Sequence, residues 1–482
     1  MPSTATLDEP LLTSAQPPSP HLSFLWAVVS LFATTVGAGV LSVPISFAYC
    51  GSSYLATLLL LAFCIASAAS LRFIAGAARR TGAKSYLSLG TRCFGDAGSA
   101  AVTWSLFGLL GGAVVQMIII VVDLLEMLLI GRGPIGDATT SRPYLLVAVV
   151  LAATPLCLPH EILQLRFTSS LSVIAILFTC ACIVGLALTD DGEGYSESEI
   201  SAAAPASVSW VLAMPIFSLA YCSQFNVLDI SHTLPKPAPP PSETASEVWI
   251  QAPPRALSLS IPGIPTPPSS TASLQNEAVK RNDANDLLSH VVHLAMGFAF
   301  LAYAIVGIAC YTLLGESALN YPNVLTAFGE VPLVALGSAA IACVNFLKLP
   351  LVLLPLRALL LEAVAGVTKP IGFIPNLVLT AGILAASGLL AAFAGNLAIA
   401  FQLAGSTAGV MVCFVLPGAM HVASLRIEGA RDIPEPEDEK DIPWPTEWKC
   451  RRIGRNWDAL AGWLMVFCGL WSGAVALWVT LS

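Results

Sequence analysis

Eleven apolar runs of about 20 residues each divide this chain, and a run of that length has few possible fates. In hydrocarbon every backbone amide and carbonyl must find its partner inside the protein, which leaves only helices or a closed barrel. The runs are about twice as long as a barrel strand and lack its strict alternation of apolar and polar residues, so helices are expected. We read them at 24–49, 54–76, 101–130, 144–159, 170–189, 208–229, 289–314, 332–355, 372–394, 398–421 and 459–481, and refer to them as segments one to eleven. Composition excludes a soluble enzyme, because 56% of the 482 residues are hydrophobic and only 11% are charged. The expected class is an all-α integral membrane protein with lipid as its main solvent.

The polar stretches between the runs give the domain plan. A tail at 1–23 precedes segments one to six within 24–229. A loop at 230–288 leads to segments seven to ten within 289–421, and a basic and acidic loop at 422–458 leads to segment eleven within 459–482. Met1 to His21 is polar and Pro-rich with no basic stretch before Leu22, so it is expected to stay on the chain as a tail, unlike a cleaved signal. Residues 235–272 are rich in Pro, Ser and Thr and include Pro239-Pro240-Pro241; such a tract cannot bury a core and is expected to be disordered, as an insertion or a regulatory tether.

Orientation follows from the cations. Arg79, Arg80, Lys84, Arg92, Arg166, Lys236, Lys280, Lys369 and the set from Arg426 to Arg455 fall on one side, and only Arg132 and Arg142 on the other, which places the N-terminus in the cytosol. The acidic group from Asp190 to Glu199 then lies outside, where a solvated loop is its ordinary reading. A net charge of −8 gives no sign of a nucleic-acid partner. The twelve cysteines are scattered through the runs and read as small packing residues, and no zinc spacing occurs. His160-Glu161 starts a zinc-protease pattern, but Gln164 stands where the second histidine is required. No metal and no cofactor are expected.

Two runs are interrupted at mid-depth. Segment one carries Thr34-Thr35-Val36-Gly37-Ala38-Gly39 halfway along, followed by Pro44. Glycines there release amide groups from the helix ladder, and a half-helix beginning after the break favours a carboxylate at its N-terminus. Close packing of small residues between helices is the competing reading. Five segments later, Pro215 to Asn226 is far more polar than its neighbours at a depth where hydrocarbon penalises polarity. That offset matches a 5+5 inverted repeat, in which paired broken helices hold a substrate near the bilayer midplane. On this reading Thr35, Gly37, Ala38 and Gly39 take a carboxylate, and Phe217, Ser218 and Tyr221 face an amino group and side chain.

Thr34 to Gly51, TTVGAGVLSVPISFAYCG, resembles the first-helix signature of the amino acid/auxin permease family, which includes sodium-coupled neutral amino acid transporters and vacuolar amino acid transporters. Phe217 to Leu234 resembles the sixth-helix pattern of the vacuolar members, with Ser223 in place of their usual histidine. Tyr311 to Tyr321, Leu347 to Arg357 and Leu403 to Pro417 are similar to the family's seventh-helix end, eighth helix and tenth helix. Five matches in order imply a leucine-transporter-like fold of 11 transmembrane helices, a 5+5 inverted repeat plus one. They also imply secondary active transport of neutral amino acids by alternating access. Sodium-coupled relatives carry an asparagine in the first helix and a hydroxyl residue in the eighth; the matching positions here are Ala33 and Lys348, so sodium coupling is not expected.

Lys348 is the only lysine placed well inside a run, and a charge at depth costs at least about 2.5–3.5 kcal/mol. Its ammonium could stand in for the missing sodium, bracing segment eight against the break in segment one or passing a proton. Alternatively, lying about 12 Å along the axis from the cytosolic end, it snorkels, its stem reaching a headgroup or a water-filled inner vestibule. Asp123 and Glu126, three apart near the outer end of segment three, are expected to share a face toward water. His290 and His293 share a face at the inner mouth of segment seven. An amino-acid sensor signalling through cytosolic segments is the alternative to a transporter, whereas an enzyme lacks any clustered His, Asp, Glu or Cys. Asp8-Glu9-Pro10-Leu11-Leu12 resembles an acidic dileucine sorting signal and, with the vacuolar likeness, favours a vacuolar or lysosomal membrane over the plasma membrane.

Overall fold

A computed structural model describes residues 20–37, 39–129, 141–158, 166–189, 208–234, 269–366, 372–431 and 446–481. Regular structure among them is entirely helical, as backbone pairing in lipid requires. The helices are α1 Pro20–Thr35, α2 Gly39–Cys50, α3 Ser53–Thr81, α4 Tyr86–Leu129, α5 Arg142–Leu156, α6 Arg166–Thr189, α7 Ala213–Ala220, α8 Val227–Thr233, α9 Ser269–Leu314, α10 Pro332–Ala365, α11 Phe373–Ala394, α12 Leu397–Ala404, α13 Leu416–Arg431 and α14 Thr446–Leu481.

The helix ends follow local chemistry. The Ser52 side chain caps α3 by accepting from the Leu55 amide at 3.5 Å, Arg79 and Arg80 sit in its last turn against the negative dipole end, and Gly82 ends it at φ 71°. A second left-handed glycine, Gly95 at φ 63°, kinks α4 near its start.

Every apolar run of the sequence coincides with a helix or a broken helix. Eight stretches among the described residues are long and apolar enough to cross a membrane. The pair Ser23–Thr35 and Gly39–Cys50, bent by 56°, makes a ninth, and Arg142–Leu156 and Ile174–Thr189 are shorter apolar helices. Large apolar side chains such as Trp26, Trp104, Phe393 and Trp478 face outward, as a bundle surrounded by lipid allows.

The helices outrun the apolar runs in several places, as where α4 begins at Tyr86 and α10 continues to Ala365. α9 begins at Ser269, inside the loop expected to reach 288; α13 continues to Arg431 and α14 begins at Thr446, both inside the loop expected at 422–458. Hydropathy marks only the embedded part of a helix, while good helix formers such as the Ala, Leu, Gln, Glu and Lys of 272–288 carry it on into water. The stretch 235–268 lies outside the described residues, as do Asp190 to Glu199, His160-Glu161 and the acidic dileucine.

Around the centre, α2 packs on α7 and α9, α1 packs on α9 and α8, and α3 covers them together with α13. α10 packs mainly on α4 and α6, and α11 on α4 and α5. Asp123 and Glu126 do not simply face water: the Arg142 guanidinium at the start of α5 lies 2.6 Å from the Asp123 carboxylate and 3.4 Å from that of Glu126, with Asp123 buried. Removing the Asp123 carboxylate from water requires a partner, and the first residue of the next helix supplies it.

Candidate functional site

The ladder of α1 stops at Thr35. The Val36 amide donates to the Phe32 carbonyl at 2.7 Å and the Gly37 amide turns back to the Thr35 carbonyl at 2.9 Å, after which α2 starts afresh at Gly39. In the first turn of α2 the Val40 amide donates to the Gly37 carbonyl at 3.4 Å, while the amides beside it have no partner inside the helix and lie at the positive end of its dipole. The Thr35 hydroxyl proton goes to the Leu31 carbonyl at 2.8 Å, so it is the Thr35 carbonyl, not its side chain, that is offered at the break. Ala38 lies outside the described residues.

The second break follows Ala220. Tyr221 to Ser223 leave the helix, a short 3₁₀ turn Gln224–Asn226 follows, and α8 resumes at Val227. Polar side chains hold this irregular backbone, as they must at that depth. Ser67 of α3 donates to the Tyr221 carbonyl at 3.0 Å and accepts from Gln224 Nε2 at 2.9 Å, while Gln224 Oε1 accepts from the Ser223 amide at 2.9 Å.

The two breaks meet at Tyr303 of α9. Its buried hydroxyl lies 2.7 Å from the Thr35 carbonyl and 2.8 Å from the Ala220 carbonyl, the last carbonyl of each first half-helix. One hydroxyl proton thus stands between two acceptors, of which the Thr35 carbonyl already accepts from the Gly37 amide and the Ala220 carbonyl depends on the phenol. The Tyr303 ring also meets that of Tyr221 edge to face at 5.4 Å. On α2 and the second break, the hydroxyls of Ser42 and Ser223 are buried with no hydrogen-bond partner among the described residues, while those of Tyr221 and Ser218 have only the thiols of Cys64 and Cys413 beside them. Buried orphan hydroxyls are rare in native proteins and mark a place where something polar belongs.

The glycines of the first break do different work. A Cβ on Gly39 would stand 3.0 Å from Ala220 Cα and 3.1 Å from the Tyr303 hydroxyl, so this glycine lets α2 and α7 touch. A Cβ on Gly37 would meet nothing within 4 Å, which makes Gly37 the one that borders open space. Phe217 is buried against Phe63, ring centroids 6.3 Å apart, and forms a wall. Between α12 and α13 the backbone widens into two π-helical segments, Gly405–Gly409 and Met411–Val415; Gly405 has no side chain because the Pro215 carbonyl occupies that space.

Thr35, Gly37, Gly39, Phe217, Ser218 and Tyr221 are thus brought into one neighbourhood. Lys348 is not. It is half-buried in α10 with no ion pair or hydrogen bond among the described residues, and α10 makes no extensive contact there with α1, α2, α7 or α8. His290 and His293 are exposed on α9, the latter with Nδ1 2.7 Å from the Ser289 carbonyl. Sequence reasoning missed Tyr303 and Ser67. The only signal for Tyr303 was a phenol within an apolar run, which needs a partner once buried.

The profile of the transmembrane amino acid transporter protein family matches residues 20–249 and 270–431. No curated protein sequence matches the chain significantly. Among solved structures, the chain is similar to Mhp1, a nucleobase-cation-symport-1 family transporter in a closed conformation with bromovinylhydantoin bound: 17% identity, TM-score 0.50, covering 95% of this chain and 92% of that one. It also matches the inward-facing conformation of Mhp1 with 15% identity, TM-score 0.48 and coverage of 95% and 91%. The closed structure shows a shared fold, that of leucine-transporter-like proteins. The eight or nine apolar helices and the family match make this a multi-pass integral membrane protein that transports and does not catalyse a reaction. The chain belongs to the transmembrane amino acid transporter family, as its resemblance to the amino acid/auxin permeases implied.

Proposed function

We propose that the protein is a secondary active transporter of neutral amino acids that works by alternating access around the crossing of α1–α2 with α7–α8. The observation that carries this reading is the pair of broken helices joined at one tyrosine hydroxyl. A zwitterion fits it at both ends. Its carboxylate goes to the first turn of α2 beside Gly37, Ala38 and Gly39. Its ammonium donates to the Tyr303 oxygen and the Ala220 carbonyl, since the Thr35 carbonyl is already served by the Gly37 amide, and its side chain lies toward Ser218 and Tyr221 beside the Phe217 wall. The polar side chains named at the crossing are all uncharged, which favours a substrate without a charged side chain.

The finer architecture belongs to the same proposal: 11 crossings arranged as a 5+5 inverted repeat plus one, with the N-terminus in the cytosol. The shorter apolar helices among α5 and α6 supply the crossings beyond nine, and the bias of Arg and Lys supports the orientation. Absence of the sodium-ligand residue types at Ala33 and Lys348 supports sodium-independent transport, with a proton as the coupling ion. Lys348 remains the ion-coupling candidate for its unpaired, half-buried ammonium; a direct brace to the first break has no support from the packing of α10. The acidic dileucine supports a vacuolar or lysosomal membrane.

The test is uptake by purified protein in liposomes with sodium and pH gradients imposed separately. Neutral amino acids should accumulate with the pH gradient and without regard to sodium. A strict sodium requirement refutes the coupling, preference for lysine or glutamate refutes the substrate class, and binding without flux would favour the sensor.

A further inference from the structure

We propose that the bundle holds a second binding site, a pocket for phosphate-bearing anions enclosed by α3, α9, α13 and α14 at the end of the bundle nearest the N-terminus. A cavity of about 370 Å³ lies there, lined by Arg72, Arg79 and Arg80 together with His421 and a single carboxylate, Asp458. Arg72, Gly76, Arg79 and Arg80 stand at i, i+4, i+7 and i+8, so α3 turns all of them to one face.

Basic residues at a membrane surface ordinarily extend into water as separate point charges. Here they converge and are aimed. Arg80 donates to the Ser424 hydroxyl at 3.1 Å and lies 3.3 Å from His421 Nδ1, and the His421 ring is itself stacked on Phe73 with centroids 4.0 Å apart. The Arg80 guanidinium lies over Gly76, 3.6 Å from where a Cβ would stand. Arg79 is oriented by its Nε donating to the Ala75 carbonyl at 3.2 Å. Arg72 is exposed with no ion pair or hydrogen bond among the described residues.

With Arg80 already engaged, Arg72 and Arg79 face one carboxylate, Asp458, among the described lining residues. Guanidinium forks match the paired oxygens of a phosphate group, and several oxygens are needed to serve two of them. The cavity is also of a size that takes a whole phosphorylated headgroup, since small-molecule pockets start at about 300 Å³. Basic pockets between helices at the cytosolic surface are where such headgroups are recognised. Only the cytosolic placement of this end rests on the topology proposed above; the pocket itself is independent of what the crossing carries.

The full chain in phosphatidylcholine nanodiscs tests this by retention and thermal shift. One arm adds a phosphatidylinositol bisphosphate to the bilayer, and two others add soluble inositol trisphosphate or inorganic phosphate. Stabilisation by the lipid alone identifies a headgroup, and stabilisation by the soluble compounds identifies a free phosphate ligand. Arg72→Gln/Arg79→Gln should weaken binding about 30-fold at roughly 1 kcal/mol per basic residue, while Lys84→Gln at the same end should not. Asp458→Asn should tighten binding and carries the test if the double variant melts early. Absence of any shift in the wild type, equal loss in Lys84→Gln, or no gain in Asp458→Asn overturns the proposal, and none of these readouts depends on transport.

Discussion

Tyr303→Phe isolates the single hydroxyl that joins the two breaks. The phenyl ring keeps the edge-to-face contact with Tyr221, so no cavity opens, and only the bonds at 2.7 Å and 2.8 Å disappear. The Thr35 carbonyl still accepts from the Gly37 amide at 2.9 Å, whereas Ala220 ends its helix and its carbonyl has no further partner in the ladder. A buried carbonyl left unpaired costs about 1–3 kcal/mol, and that sets the loss of stability. Substrate affinity should fall as well, because the ammonium loses one acceptor and the spacing of the breaks around it. One hydrogen bond of about 1.4 kcal/mol corresponds to about tenfold in Kd. The assay is thermal melting of the purified variant with and without saturating substrate, paired with equilibrium binding. A variant that melts with the wild type and binds with unchanged Kd would show that the hydroxyl neither holds the breaks nor meets the substrate.

Gly37→Ala and Gly39→Ala should separate folding from binding: the first leaves melting unchanged and lowers affinity, while the second overpacks α2 on Ala220, costing about 1–3 kcal/mol. Equal melting of the two variants would refute the division of labour. Ser67→Ala removes both bonds that hold the Tyr221 carbonyl and Gln224, so the variant should lose about 1–3 kcal/mol and transport more slowly even at saturating substrate. Wild-type melting and rate would dismiss it. Lys348→Met retains the stem and removes the charge; transport in liposomes should lose its response to an imposed pH gradient, and an unaltered response would mean that the lysine only snorkels.

How much of this was legible in the residues differs from feature to feature. Both breaks were, because lipid punishes unpaired backbone and polar side chains so strongly that Thr34 to Gly39 and Pro215 to Asn226 stand out from any neighbour. For the same reason the apolar runs located every helix, and the ordered likeness of five stretches identified the family. Helix ends were less legible, since α9 and α14 continue into water by propensity alone, where hydropathy is silent.

Which side chains meet was decided only by the tertiary structure. Tyr303 is 268 residues from Thr35 and 83 from Ala220 along the chain, and its role depends on the rotation of α9 about its own axis. The same is true of Arg80 and Ser424, 344 residues apart, and of the contrast between Gly37 and Gly39, identical residues whose surroundings alone differ. Hydrophobic and backbone-pairing forces act on each segment by itself and are therefore written in its local sequence. Helix crossing and rotation arise from packing among many segments at once, and no stretch of the chain encodes them alone.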